Sequence, residues 1–546
     1  MSETVRNYSW GSSSSRRRRG PRNRGARIAR FLLPVLLAAL AWVFWITRDN
    51  YAMERFISRD RVYEAYINNI VARRHDVFQS NIWRLLPEGS QARSVINSVS
   101  GKLPVPEWLV NNLSAGLCHI SGTSFDRSED ILVATRMTRI GCLAERIIRR
   151  FGAVTDDYSG GLKLRHIPEA GLYYAVRGRT LLFSVSRNRL IQALTLAEAD
   201  ALEQSEFEEG IRMAGGEDIY CRLIPDSISM ASKPFDKLDL VVRFEEDSVR
   251  MLVQGDFSTD FQENYGVLLR APSKPSLPAP FAANASIALD LGQPLAKFIE
   301  ALSHVSLETG MIPQWLLNAY KPAQAGDIII SMEPLVAAVL AESGPRIRIG
   351  WFGFDHLEMV PAPLLASTFE TGQEGVLMLY DGIIAPQGPK EIDLVPRVNQ
   401  DMVVHVPFVG GPNLKPTLAP FSDGFILSSS FPLAAALKNT PELTGELNQN
   451  GNIYVSIKPR EAVQSLANAA RELTFSGLLK GFTPESLEAT AAPWLTASES
   501  LSGLVLLASW SEGKLNAQVR ISLHPVPRTT APQAEQDATA IESTTP

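Results

Sequence analysis

The sequence predicts an α+β protein. It expects a single N-terminal transmembrane helix followed by two related mixed α/β halves with largely antiparallel sheets. Three observations lead there. An uncharged apolar run follows a basic tail, strand-like and helix-like segments alternate through the rest, and their order recurs in the later half.

The first thirty residues carry nine arginines against Glu3 alone, near +8. The chain's net charge of -5 therefore leaves the remainder near -13. Phe31 to Ile46 reads FLLPVLLAALAWVFWI, with no charge. Such a run rises about 24 Å as a helix, slightly short of a hydrocarbon core of about 30 Å. Thr47 extends it, and Arg27, Arg30 and Arg48 can snorkel outward. Trp42 and Trp45 suit the membrane interface, and the arginine bias places the N-terminus in the cytoplasm. A cleaved signal peptide is the rival reading, since Ala39-Leu40-Ala41 has the small-x-small form. The apolar run continues past that point, which favours an uncleaved anchor. The expected location is the inner (cytoplasmic) membrane, with the bulk of the chain outside. The tail then serves topology and lipid attraction, not nucleic-acid binding.

The predicted organisation is a basic tail (1–30), an anchor (31–47), a juxtamembrane helical region (48–105) and a first α+β half (106–270). A linker (271–283), a second half (284–525) and a disordered tail (526–546) follow. Apolar residues at helical spacing between 51 and 85 predict a helix leaving the membrane. Pro104 and Pro106 mark entry to the main domain. GLCHISG and DILVATRM predict strands, IGCLAERIIRRF an amphipathic helix, and GLKLRHI, GLYYAVR and RTLLFSV three more strands. Ser186 suits the N-cap of the next helix, and SEFEEGIRMA predicts another. DIYCRLI predicts a strand, and LDLVVRF with VRMLVQGDF a hairpin.

In the later half, FILSSSFPLAAAL aligns with LFSVSRNRLIQAL, setting Leu433 on Leu190 and Leu437 on Leu194. GNIYVSI aligns with EDIYCRLI, setting Ile453-Tyr454 on Ile219-Tyr220. GLVLLASW and KLNAQVRISL pair around Glu512-Gly513 like the earlier hairpin. ASIALDLGQPLAKFIEALSHV adds a strand-to-helix step, and DIIISME and PRIRIGWFGF add strands. These agreements predict an internal duplication.

The strand and helix at 130–151, the strand pair at 159–177, the strand-serine-helix unit at 181–194 and the S-E-F-x-x-x-I helix closed by Ile219-Tyr220 together resemble one known family. It comprises bacterial membrane-anchored extracytoplasmic proteins defined only as a domain of unknown function. The resemblance covers roughly residues 115 to 260, and 284 to 525 more loosely. It implies an α+β architecture on one anchor and no catalytic residue.

Candidate chemistry is sparse. Gly215-Gly216-Glu217-Asp218 looks like the nucleotide-gripping hairpin of diguanylate cyclases. An extracytoplasmic location, loss of the acids in the aligned LNQNGNIYVSI, and Ile219 where that motif has an aromatic all oppose it. The glycines are expected to end a helix in a left-handed conformation, with Glu217 and Asp218 in a solvated turn. Ser184, Ser186 and Ser428 to Ser430 sit where a nucleophile elbow would, without its glycines, so capping is expected. His75, His119, His166, His304, His356, His405 and His524 are isolated, which predicts no metal site. Gly410-Gly411 lacks a following Gly-Lys-Ser/Thr, so no phosphate loop is expected. Glu245-Glu246-Asp247 reads as a hairpin tip without calcium-loop spacing. Trp315, Trp351, Phe352, Phe354 and Trp494 enrich the later half in aromatics, and WFGF reads as a core strand. Cys118, Cys142 and Cys221 are odd in number, leaving at least one unpaired in this chain. The sequence therefore predicts no catalytic, cofactor or metal residues. It predicts a non-catalytic role in binding or scaffolding at the envelope, through protein partners or an apolar ligand. The alternatives are an envelope hydrolase with a dispersed site and a lipid-binding carrier.

Overall fold

The computed structural model describes residues 41–45, 48, 51–68, 73, 76–77, 79–86, 107–113, 116–124, 127–151, 154–168, 171–224, 234–309, 342–355, 360–371, 397–399, 402–404, 414–440, 443 and 445–525. The basic tail, most of the apolar run, Pro104 and Pro106, DIIISME, Trp315, Gly410-Gly411 and the C-terminal tail from 526 lie outside them.

The early strands are β1 (Tyr63–Asn68), β2 (Leu117–Gly122), β3 (Leu132–Arg136), β4 (Thr155–Ser159) and β5 (Leu162–Ile167). They continue with β6 (Leu172–Arg177), β7 (Thr180–Ser184), β8 (Ile219–Leu223), β9 (Phe235–Phe244) and β10 (Ser248–Phe257). After the short β11 (Leu277–Pro278) come β12 (Ala285–Asp290), β13 (Arg346–Asp355), β14 (Ala362–Glu370), β15 (Arg397–Asn399) and β16 (Met402–Val404). Then come β17 (Leu414–Phe421), β18 (Gly424–Ser430), the short β19 (Glu446–Leu447), β20 (Ile453–Ile457), β21 (Leu501–Ser511) and β22 (Lys514–Leu523).

Twenty of these strands make one sheet. Following the ladders, the spatial order is β4-β5-β6-β7-β3-β2-β1-β8-β9-β10, then β22-β21-β20-β12-β13-β14-β18-β17-β16-β15, and every pairing is antiparallel. The two lists visit their strands in matching sequence order. They meet at the β10–β22 ladder, where Leu252 stands opposite Gln518.

This corrects the expected fold class. The α/β halves do not carry sheets of their own behind a membrane helix: one antiparallel sheet runs through both. Among the described residues no helix is long and apolar enough to cross a membrane. The join is continuous because β10 and β22 pair along nine residues, which satisfies backbone groups that an edge would leave open.

Helices pack on the sheet: α1 (Glu107–Leu113), α2 (Arg139–Phe151), α3 (Arg187–Leu194), α4 (Gln204–Met213), α5 (Thr259–Tyr265) and α6 (Leu295–Thr309). α7 (Phe431–Lys438), α8 (Pro459–Phe475) and α9 (Pro484–Ser500) follow. Two cores result. Leu132, Leu182, Leu190 and Phe207 lie in one, and Phe281, Ala366, Ile426 and Ala434 in the other.

The expected juxtamembrane helix also needs correction. Residues 63–68 form β1, central in the sheet between β2 and β8. Val62, Glu64 and Tyr66 are all buried, a period of two. The charge on Glu64 hid that period, because a carboxylate reads as a solvent-facing residue.

The ladders also shift one alignment by a residue. Ala134 pairs with Leu182 and Thr368 with Ile426, at corresponding places in the sheet. Leu182 therefore matches Ile426, Ser186 matches Ser430, and Leu190 matches Ala434. Leu190 and Ala434 are both fully buried, while Leu433 only packs from the side. A string of apolar residues in a short helix leaves the frame ambiguous, and β-ladder register resolves it.

Candidate functional site

The sheet face beneath α4 carries two rows of side chains. One row runs Ser121–Glu64–Arg222–Asp239 across β2, β1, β8 and β9, and the next runs Ala134–His119–Tyr66–Tyr220 across β3, β2, β1 and β8. Glu64 and His119 are both 0% exposed. Arg61 Nε donates to Glu64 Oε2 at 2.8 Å, and Tyr66 Oη donates to the same oxygen at 2.9 Å. His119 Nε2 lies 3.3 Å from it. Arg222 Nε donates to Asp239 Oδ1 at 3.1 Å, and Tyr220 Oη at 2.8 Å. α4 closes the face, with Glu206 paired to Arg61 and the Phe207 ring 5.7 Å from Tyr66 and 5.9 Å from His119.

Burial alone would raise the Glu64 carboxyl. The hydrogen bond from His119 and the Arg61 guanidinium outweigh it and hold the carboxyl down at about 2. Burial lowers His119, with Glu64 opposing, and a ring N–H on Nε2 is what the Glu64 carboxylate can accept. A histidine–carboxylate pair is half of a nucleophile-activating triad. Here both members are sealed under α4, and Glu64 is held by Arg61, Tyr66, Arg222 and His119 rather than facing a serine.

The corresponding positions of the later strands hold different chemistry. The first row becomes Gly350–Ser286–Ser456–Val505 and the second Thr368–Arg348–Ala288–Tyr454. No helix like α4 intervenes, since β19 ends at Leu447 and β20 begins at Ile453. A cavity of about 480 Å³ opens along β13 and β14, at the 421–423 turn. Arg346 and Arg348 form its deep wall, only 7% and 9% exposed. Arg346 donates to Glu446 at 3.0 Å and to the Ser276 carbonyl at 3.1 Å, while its Nε is buried without a partner. Arg348 donates to the Gly445 carbonyl at 3.2 Å. Lys274 pairs with Glu370 at the mouth. Burial, and then the neighbouring Arg346 charge, push Arg348 down to about 10.

The sequence-derived candidates fall elsewhere. Ser184 Oγ donates to the Ile131 carbonyl at 2.9 Å, and Ser428 Oγ to the Leu365 carbonyl at 3.1 Å. Each also accepts the amide two residues on, from Ser186 and Ser430. Ser186 caps α3 through Arg189 N, whereas Ser430 makes no side-chain cap on α7. Ser429 instead donates to the Pro363 carbonyl at 2.8 Å. Gly215 and Gly216 follow α4, but neither has positive φ. Asp218 is not solvated: it is buried, taking Arg73 Nε at 2.9 Å and the Phe244 amide at 2.7 Å. The Glu245-Glu246-Asp247 tip is likewise clamped, by Ser80, Asn81 and the Leu523 amide.

Cys118, Cys142 and Cys221 are free, and burial raises the Cys118 and Cys221 thiols to about 11, which keeps them unreactive. His166 stacks on Tyr173, and His524 donates its amide to the Ser500 carbonyl. His75, His356 and His405 lie outside the described residues, as does the side chain of His304. Among the described residues no group of histidine, cysteine and acid side chains could hold a metal. Phe352 of WFGF packs beside the second core, against Phe281.

Sequence reasoning missed Arg346 and Arg348. The signal was present in PRIRIG, where alternation puts both arginines on one face of a strand.

No family model and no curated protein matches the chain. Solved structures described as crystal forms of TP0453 overlap it weakly. Form IV is 9% identical over 39% of this chain and 83% of its own, with a TM-score of 0.25. Form III is 10% identical over 41% and 88%, with a TM-score of 0.24. Scores that low carry no argument about fold or function.

Proposed function

We propose that this is a non-catalytic binding and scaffolding protein of the bacterial envelope, attached to the cytoplasmic membrane at its N-terminus with residues 48–525 outside. The charge asymmetry about the run Phe31 to Ile46 supports the location. One observation carries the scaffolding reading. The α8–α9 hairpin holds an exposed apolar tip, with Phe475 at 71%, Leu478 at 57%, Phe482 at 46% and, along α9, Trp494 at 69% exposure. Exposed apolar groups clustered at one place mark an interaction site.

The occupant is a protein surface with an apolar pocket. Arg471 already pairs with Glu488 at 3.3 Å, and Glu485 adds negative charge beside Lys480. A tip so balanced has no electrostatic pull toward anionic lipid. The charged cavity behind Arg346 and Arg348 disfavours the lipid-carrier reading, which calls for an apolar chamber. The sealed His119–Glu64 pair disfavours the hydrolase reading.

The test is photo-crosslinking from Phe475 and Phe482 positions in the full chain, in its native membranes. A discrete protein adduct that Leu478→Asp abolishes is expected. Adducts to lipid alone, or none, would overturn the proposal. Protease protection of residues 48–525 in intact cells, with cleavage after the outer layers are opened, tests the location.

A further inference from the structure

The Arg346–Arg348 cavity has a separate use. We propose that it binds a small solute through a carboxylate or phosphate group received by the two guanidiniums. The fold does not require arginine here. At the corresponding ladder positions the early strands carry Leu117 and His119, packed under α4, and that region folds around them. Burying two guanidiniums is costly, so their presence beside an open chamber calls for a compensating anion.

The local acids do not fully supply it. Glu446 is engaged by Ser276 and Arg346, Glu370 is engaged by Lys274 and lies 3.9 Å from Arg346, and Asp423 also lines the chamber. Arg346 keeps a buried Nε with no partner. Burial, and then the Arg346 charge, lowers Arg348, with Glu446 and Glu370 opposing. Guanidinium presents a planar fork of donors that matches carboxylate and phosphate oxygens. A chamber of about 480 Å³ falls within the usual size of small-ligand sites, and Thr368, Thr371 and Ser422 add hydroxyls to its wall.

The experiment is calorimetric titration of the full chain at low salt with inorganic phosphate and, separately, with glutamate and succinate. Saturable one-to-one binding of at least one class is expected, weakened at least about tenfold by Arg348→Leu, the loss of one charge-assisted hydrogen bond. Phosphate alone binding identifies a phosphoryl ligand, and the carboxylates alone a carboxylate ligand. Phenylglyoxal labelling of the unmutated chain avoids dependence on a variant that fails to fold. The bound anion should protect Arg346 and Arg348 from modification while Arg520, exposed on β22, stays reactive. Absence of saturable binding to every probe would overturn the proposal, as would binding without protection of these two arginines.

Discussion

The early and late stretches of the sheet place the same ladder positions under different demands. Around β1 and β8 those positions hold Glu64, Arg222, His119 and Tyr66, and α4 seals them. Around β12 and β20 they hold Ser286, Ser456, Arg348 and Ala288, no helix like α4 lies between β19 and β20, and a cavity opens beside β13 and β14. A strand order fixes which residues share a face, and it leaves their chemistry free. In the early region a buried charge is matched within the protein by ion pairs and hydroxyls. In the late region Arg346 keeps one buried donor without a partner at the wall of the cavity.

Removing the hub of the early network gives the sharpest break. Glu64→Ala leaves Arg61, Arg222 and His119 buried around a lost carboxylate, and is expected to cost about 3–5 kcal/mol, read by denaturant unfolding. Phe207→Ala should cost about the same, 3–5 kcal/mol, by emptying the space that α4 fills. It should also open, in the early region, a chamber like the late one, visible as a new void in a crystal structure.

Acid should separate the two regions next. His119 is depressed below its ordinary 6.5, so the unfolded chain binds more protons as pH falls past that value. Stability is then full above about pH 6.5 and declines below it, with the Glu64 contribution lost progressively as pH falls from 4.5 to about 2. Melting temperatures of the parent and His119→Gln between pH 7.5 and 5 should converge as pH drops. Parallel curves would show that the imidazole does not titrate on unfolding. The smallest effect belongs to Ser286→Ala. The Ser286 hydroxyl is buried without a partner, so its loss should change stability by no more than about 0.5 kcal/mol. A large loss would mean that the late row carries a network of its own.

Much of the local structure was legible. RTLLFSV and the helix after Ser186, DIYCRLI, and the hairpins around Glu245–Ser248 and Glu512-Gly513 occupy the strands and helices expected of them. Their signals are periodicity, turn formers and caps, all local in the chain. β1 escaped because Glu64 masked an alternating pattern. Asp218 was placed in water because its partner, Arg73, is remote in sequence and nothing local announces the pair. The candidate site was harder still. PRIRIG shows that Arg346 and Arg348 share a face, but not which face is covered.

The sequence by itself determined many of the segments that become strands and helices, and the excess of positive charge at the N-terminal end. Only the tertiary structure decided that the strands join into one sheet, that the serine turns align a residue away from the apparent match, and that two arginines line a chamber. The physical reason is range. Propensity and periodicity act within a few residues, whereas ladder register, burial of a charge and the walls of a cavity depend on segments far apart in the chain.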